Sequence, residues 1–406
     1  MANKKQNFED LNAYHWFYEP DNISIRISQE FRKSIFKSAL EKAKSMTNLS
    51  RLTGLSKQTL FNNMYGISMN IKGFKKLLNL IKINFMEVYE HIEKIGGNKI
   101  KLPIRLDTPE SAIIFASILG DGSNTSRVMY KNKDIFLINK IEKCVRDWLG
   151  NVIIDHRISS KNIPCLFLPR ITGRIFSFVG IPVGKQTRFN PGIPEVIKSS
   201  GKSVKKAFIQ QFFDDEGWPE PNQMRIAISQ CIYATPKLPE DFVKSIRNKE
   251  IVYLKKIPSR IKEMINAPEI LIDLKRILEN DFEIYSNIRL KRLLVRERQI
   301  TGAFELEIQR KEDVKKFFRE INFSSPTKKK KLDFMVNRNR ELPSNIMLLI
   351  INEAIRLSKG KGYFLACDIA KNLGFPQPPI RKRLTTLVRK GIFNKRKMKF
   401  FINIEF

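Results

Sequence analysis

Two nonamers, Ile114-Phe115-Ala116-Ser117-Ile118-Leu119-Gly120-Asp121-Gly122 and Ile209-Gln210-Gln211-Phe212-Phe213-Asp214-Asp215-Glu216-Gly217, share one construction. Each is an apolar, helix-like run that ends in an acidic residue followed by glycine. One such run is ordinary core. Two of them, in duplicated surroundings, constrain the chain to a fold with a pair of packed helices at its centre. Packing along their small faces brings the C-terminal ends, and with them Asp121 and Glu216, together. Like charges held that close call for a cation between them.

The chain has 406 residues, a length that suggests roughly two to four domains. It carries 74 Lys and Arg against 41 Asp and Glu, a formal net charge of +33. The excess runs from Lys4 to Lys399 and is not confined to one tail, so a broad basic surface facing a nucleic acid is expected. A membrane partner is not expected: apolar stretches such as 346–351 fall well short of the roughly 20 residues a spanning helix needs. The first seven residues contain no apolar core of a signal peptide. Cys144, Cys165, Cys231 and Cys367 are far apart with no CxxC pair, which fits free thiols in a reducing cytoplasm. His15, His91 and His156 are equally scattered and support neither a zinc site nor a Ser-His triad. The chemistry therefore rests on carboxylates.

The expected organisation is 1–98, 99–203, 204–335 and 343–406. The aromatic run Tyr14-His15-Trp16-Phe17-Tyr18 reads as a packing strap. From 29 to 93 the pattern is helical throughout, and 48–63 resembles a helix-turn-helix. There Leu49 and Leu52 are expected in the core, Gly54 in the turn and Ser56 as the cap of the second helix. Lys57, Gln58, Thr59, Asn62 and Asn63 are then expected on the outer face, toward a DNA groove. After the linker Gly96-Gly97-Asn98, the motif helices head two similar successions of strands and helices, with a helical insertion expected over 239–279. The run Lys328-Lys329-Lys330-Lys331 reads as a solvated helix start. The last segment looks like a winged helix, with a recognition helix over 379–389 carrying Arg381 and Lys382 and a wing carrying Lys395, Arg396 and Lys397.

The two nonamers resemble the LAGLIDADG motifs of homing endonucleases in their single-chain, two-motif form. The likeness extends to Gly180-Ile181-Pro182-Val183-Gly184-Lys185, to Ile193-Pro194 and to Ser325-Pro326-Thr327-Lys328, and covers about 109–335. The resemblance implies an α+β fold: a pseudo-two-fold duplicated core whose antiparallel sheets lie on DNA, here flanked by the helix-turn-helix and winged-helix segments. It implies a monomer in which Asp121 and Glu216 bind metal, with the carbonyls of Gly120 and Asp215 as neighbouring donors. An all-oxygen set suits Mg²⁺. The family's basic residue near each scissile phosphate falls on Lys133 in the first half, as a catalytic or phosphate-contacting group, and on Cys231 in the second, where a thiol cannot supply the charge. Arg225 is the candidate substitute cation there, and Arg127, Lys131 and Arg225 are expected on the DNA. Gln211 occupies a slot usually held by glycine and is expected to crowd the helix contact. Asp214 is expected as an interface or capping group.

The function expected from these features is metal-assisted hydrolysis of one phosphodiester in each strand of double-stranded DNA at a long site, by a free-standing enzyme that promotes movement of its own gene, as in intron homing. The ends of the sequence lack the splicing residues of an intein. Two other readings stand beside it: a non-catalytic DNA-binding transcription regulator, and an RNA maturase.

Overall fold

The computed structural model describes residues 23–102, 104–296, 299–338, 343–375 and 377–403. The aromatic run at 14–18 and the end of the last expected strand lie outside them. The fold mixes helices with antiparallel sheets, and no helix among the described residues is long and apolar enough to cross a membrane. The chain divides into two compact units. One holds the described residues up to 216 with 230–277 and 290–304, the other 217–229, 278–289 and 305–403.

The first unit opens with a three-stranded sheet in the order Met69–Asn70, Ser24–Ile27, Ile92–Ile95; helix Ile71–Ile81 lies next to its edge strand and packs on helix Gln29–Ala43. The stretch from 29 to 93 is therefore not helical throughout. Ile23, Ile25 and Ile27 alternate into the core with the period of two that marks a strand, a signal only a few residues long. Helices Met46–Thr53 and Lys57–Met64 form the expected pair. Gly54 takes the left-handed turn at φ 64°, and the Ser56 hydroxyl accepts from the Thr59 amide at 3.1 Å. The hydroxyl of Ser50 donates to the Leu55 carbonyl at 2.6 Å and fixes the turn. Leu49 is fully buried as expected, but Leu52 is 54% exposed. Position 53 takes its place in the core, with Thr53 bonded back to the Leu49 carbonyl.

The first motif helix, Pro109–Leu119, starts at a reciprocal capping box between Thr108 and Ser111 and ends at Gly120. Gly122 closes the motif because a Cβ there would lie 2.7 Å from the Ile118 Cα. Helix Ile135–Leu149 follows, capped by Asp134, and buries Leu137, Ile138, Ile141, Val145 and Leu149 on one face. The associated strands form an antiparallel sheet in the order Gly122–Ser123, Met129–Lys131, Pro164–Phe167, Asp155–Ile158. The second motif helix spans Lys202–Glu216. Ahead of it, the junction is tied down by Asp273, which accepts from the Ile193 amide at 2.9 Å and pairs with Lys198.

After the second motif the strand order is Gly217–Glu220, Arg225–Tyr233, Gln299–Ile308, Asn287–Arg296, Ile251–Tyr253. Its first four strands repeat the order of the earlier sheet. The fifth is a departure: the expected helical insertion contains helices Glu240–Ile246, Ser259–Glu263 and Glu269–Phe282, but Ile251-Val252-Tyr253 forms an edge strand. Its β-branched and aromatic side chains suit a pleated surface.

In the second unit the C-terminal segment folds as helix Ile346–Lys361, strand Phe364–Leu365, helices Ala366–Asn372 and Gln377–Arg389, and the hairpin Phe393–Arg396 with Lys399–Ile402. Ile350, Ile369, Ile380, Leu384, Phe364 and Phe400 are among the residues of its continuous core. Each such side chain is worth about 1.5–3 kcal/mol on full burial.

Candidate metal and nucleic-acid site

Ala112 and Ala116 are fully buried and give the first motif helix a smooth face. At its end, a Cβ on Gly120 would fall 2.9 Å from the Asp215 Cβ and 3.1 Å from its Oδ2, so the two motifs touch at Gly120 and Asp215. Only glycine allows that approach.

Asp215 does more there than offer a carbonyl. Its carboxyl accepts from the Tyr130 hydroxyl at 2.7 Å and, through both oxygens, from Gln211 Nε2 at 3.1 Å. Gln211, expected to crowd the contact, is fully buried and holds the acid one turn ahead of it, while its own Oε1 has no partner among the described residues. Burial pushes the Asp215 carboxyl well above the usual carboxylate range, and the charge of Asp121 adds to the rise. Tyr130, buried against Asp215, is likewise raised and stays a neutral donor.

Asp121 accepts from Asn132 Nδ2 at 2.8 Å. The other end of that amide is also fixed, because Asn132 Oδ1 accepts from the Asp134 backbone at 2.9 Å. Lys133, expected beside Asp121, is exposed. Side chains alternate along a strand, so once Tyr130 faces inward Asn132 follows it, and Lys131 and Lys133 turn to the other side. That period was legible in Met129-Tyr130-Lys131-Asn132-Lys133 and points to Asn132 as the reaching group. Asp214 is buried and pairs with Lys140 at 3.6 Å, which places it at an interface as expected.

Glu216 lines a cavity of about 450 Å³ together with Gly120, Lys185, Gln186, Gln230 and Cys231. Gln186 Nε2 donates to the Ile118 carbonyl at 2.6 Å and so ties the junction to the last turn of the first motif helix. The Cys231 thiol is pushed up by burial and then by the charge of Glu216, while Arg292 and Arg296 pull it down. Lys185 in the cavity lining, and Arg292 and Arg296 acting on Cys231, are cationic groups of this half. Arg225 is spoken for: its guanidinium contacts Glu220, Glu305 and Glu307 and is largely buried. It is neither a free substitute cation nor an open phosphate contact.

No protein-family model and no curated protein matches the chain. Among solved structures, mesophilic variants of the homing endonuclease I-DmoI are similar to it at 16% identity, over 55% of this chain and 97% of that one, with a TM-score of 0.32. Full-length DUF199/WhiA from Thermatoga maritima is similar at 10% identity, over 71% of this chain and 93% of that one, with a TM-score of 0.33. I-DmoI in complex with DNA and Mn is similar at 16% identity, over 52% and 96%, with a TM-score of 0.31. Likeness at this level decides nothing about chemistry, which rests on the residues themselves.

Among the described residues, no group of three or more His, Cys, Asp and Glu side chains is arranged to hold a metal ion. The donors at the motif ends are all oxygens. Of the residues expected on DNA, Lys57, Gln58 and Thr59 are exposed and Asn62 is half-buried. Asn63 is only 2% exposed and faces inward, where the helix packs. Arg127 and Lys131 are exposed around the first hairpin. Arg381 and Lys382 are exposed on Gln377–Arg389, Lys395 and Arg396 on the last hairpin, and Lys397 forms its turn at φ 54°.

Proposed function

We propose that the chain is a site-specific double-strand DNA endonuclease of LAGLIDADG type, built on a duplicated core with an N-terminal helix-turn-helix segment and a C-terminal winged helix. The observation that carries this reading is the contact of the two motif helices at Gly120 and Asp215, with Asp121 and Glu216 next in sequence to those residues. The division 1–98, 99–203, 204–335 and 343–406 is kept as the proposed domain plan, and a monomer is proposed because one chain carries both motifs.

The residues at the motif ends suit a hard divalent cation such as Mg²⁺: the carboxylates of Asp121 and Glu216, with the carbonyls of Gly120 and Asp215 as neighbouring donors. Such an ion supplies an activated water and stabilises charge on the phosphate and the leaving oxygen. Asn132 holds the Asp121 carboxylate in one orientation, as outer partners of metal ligands do. Asp215, Tyr130 and Gln211 keep the helix ends in register. In the Glu216 half, Lys185 lines the cavity and offers an ammonium where Cys231 cannot. Lys133 stays a candidate phosphate contact with Lys131, on the side away from Asp121. DNA contacts are proposed for Lys57, Gln58, Arg127, Arg381, Lys382, Lys395, Arg396 and Lys397.

A non-catalytic DNA-binding regulator is the second reading, and it is favoured by Cys231 on the Glu216 side. Incubation with a plasmid library in Mg²⁺, with both strands mapped, separates the two. A staggered cut at one sequence supports the enzyme. Sequence-specific binding with no cut at any metal concentration supports the regulator.

A further inference from the structure

The exposed face of helix Lys57–Met64 carries fewer free polar groups than its sequence offers. Asn63 is buried, and the Thr59 hydroxyl lies 2.8 Å from Ser56 Oγ, inside the cap. What remains outward is the Lys57 ammonium and a coupled pair, Gln58 and Asn62, in which Gln58 Nε2 donates to Asn62 Oδ1 at 2.9 Å. The two residues are one turn apart on a helix whose start is fixed by the Ser56 cap and whose approach is fixed by Ser50.

We propose that Gln58 reads an adenine in the major groove of duplex DNA and that Asn62 is the residue positioning its amide. This rests on the DNA-binding reading above and names the base that the segment selects. A glutamine amide has two N–H donors and one carbonyl. With one donor held by Asn62, Gln58 presents one donor and one acceptor on the same planar group. Adenine offers the matching edge, an acceptor at N7 and a donor at N6, whereas guanine offers two acceptors and sets one against the Gln58 carbonyl. The Asn62 contact fixes which end of the amide faces which base atom, and so removes the rotamer freedom that would let Gln58 accept other edges. Gln58 stands in the first turn, the part of a second helix that meets base edges in helix-turn-helix docking.

The test uses the full chain and a random duplex library, followed by a panel carrying each of the four base pairs at every selected position. The wild type is expected to prefer A·T at one position by about 5- to 150-fold, the range for a bidentate amide contact. Gln58→Ala is expected to bind all four base pairs at that position alike and to keep its preferences elsewhere. Asn62→Ala is expected to weaken the same preference and no other. A Gln58→Ala protein that selects the same site at every position overturns the inference and leaves the DNA-binding reading intact. A wild-type chain that enriches no sequence overturns that reading itself.

Discussion

Asn132 donates its side-chain amide to the Asp121 carboxylate at 2.8 Å, while its carbonyl accepts from the Asp134 backbone. The acid of the first motif is therefore held by a neutral residue fixed at both ends, and Lys133 beside that residue is exposed. Asn132→Ala is expected to slow cleavage at the Asp121 side by about 10- to 100-fold and to raise the metal concentration needed for half-maximal rate. Strand-resolved rates against metal concentration check it, and a change in rate without a shift in metal dependence removes the positioning role.

Tyr130→Phe takes one donor from a buried carboxyl, since the Tyr130 hydroxyl lies 2.7 Å from Asp215 Oδ1. A loss of about 0.5–1.5 kcal/mol of stability is expected, the net worth of one hydrogen bond, because Gln211 still donates to the same oxygen. Urea unfolding measures it.

Asp215 also gives stability a pH dependence. Its folded value is raised above the ordinary 3.8, so the folded chain keeps a proton that the unfolded chain has released. The stabilisation is complete below the unfolded value and is lost as pH rises through the folded one. In metal-free buffer, unfolding midpoints are expected to fall over that window in the wild type, and Asp215→Asn is expected to flatten the slope.

Arg225→Met removes the cation from between Glu220, Glu305 and Glu307. Stripping a buried charge network of one partner costs about 3–5 kcal/mol. Lys131→Ala is expected to do the reverse, leaving stability alone and lowering the salt slope of DNA binding by about one. Unfolding curves and salt titrations on both variants test the two assignments together.

Lys185→Gln is expected to slow one strand cut more than the other, because Lys185 lines the cavity that holds Glu216, whose partner position Cys231 lacks a charge. Equal slowing of both cuts shows that the residue acts on folding or on overall binding.

The motif ends, the capping of Pro109–Leu119 and the Gly54 turn followed from local chemistry that a few adjacent residues carry. The side-chain partners did not. Asp215 reads as a spare acid until Gly120 brings the helices close enough for Tyr130 and Gln211 to reach it, which is a tertiary fact. Arg225 reads as a DNA contact until strand pairing sets Glu305 and Glu307 beside it. Asn63 and Leu52 exchanged their expected faces because a helix of eight residues offers too few turns to fix its rotation from sequence. By contrast, the inward turn of Asn132 was open to a period-two reading of its strand.

The most direct measurement is strand-resolved cleavage of a selected DNA site in Mg²⁺ by the wild type, Asp121→Asn and Glu216→Gln, with binding affinity measured in parallel. Two staggered nicks are expected for the wild type, with loss of cutting in both variants and affinity retained. Wild-type protein that binds the site tightly and leaves both strands whole, or variants that cut as fast as the wild type, would contradict the endonuclease reading.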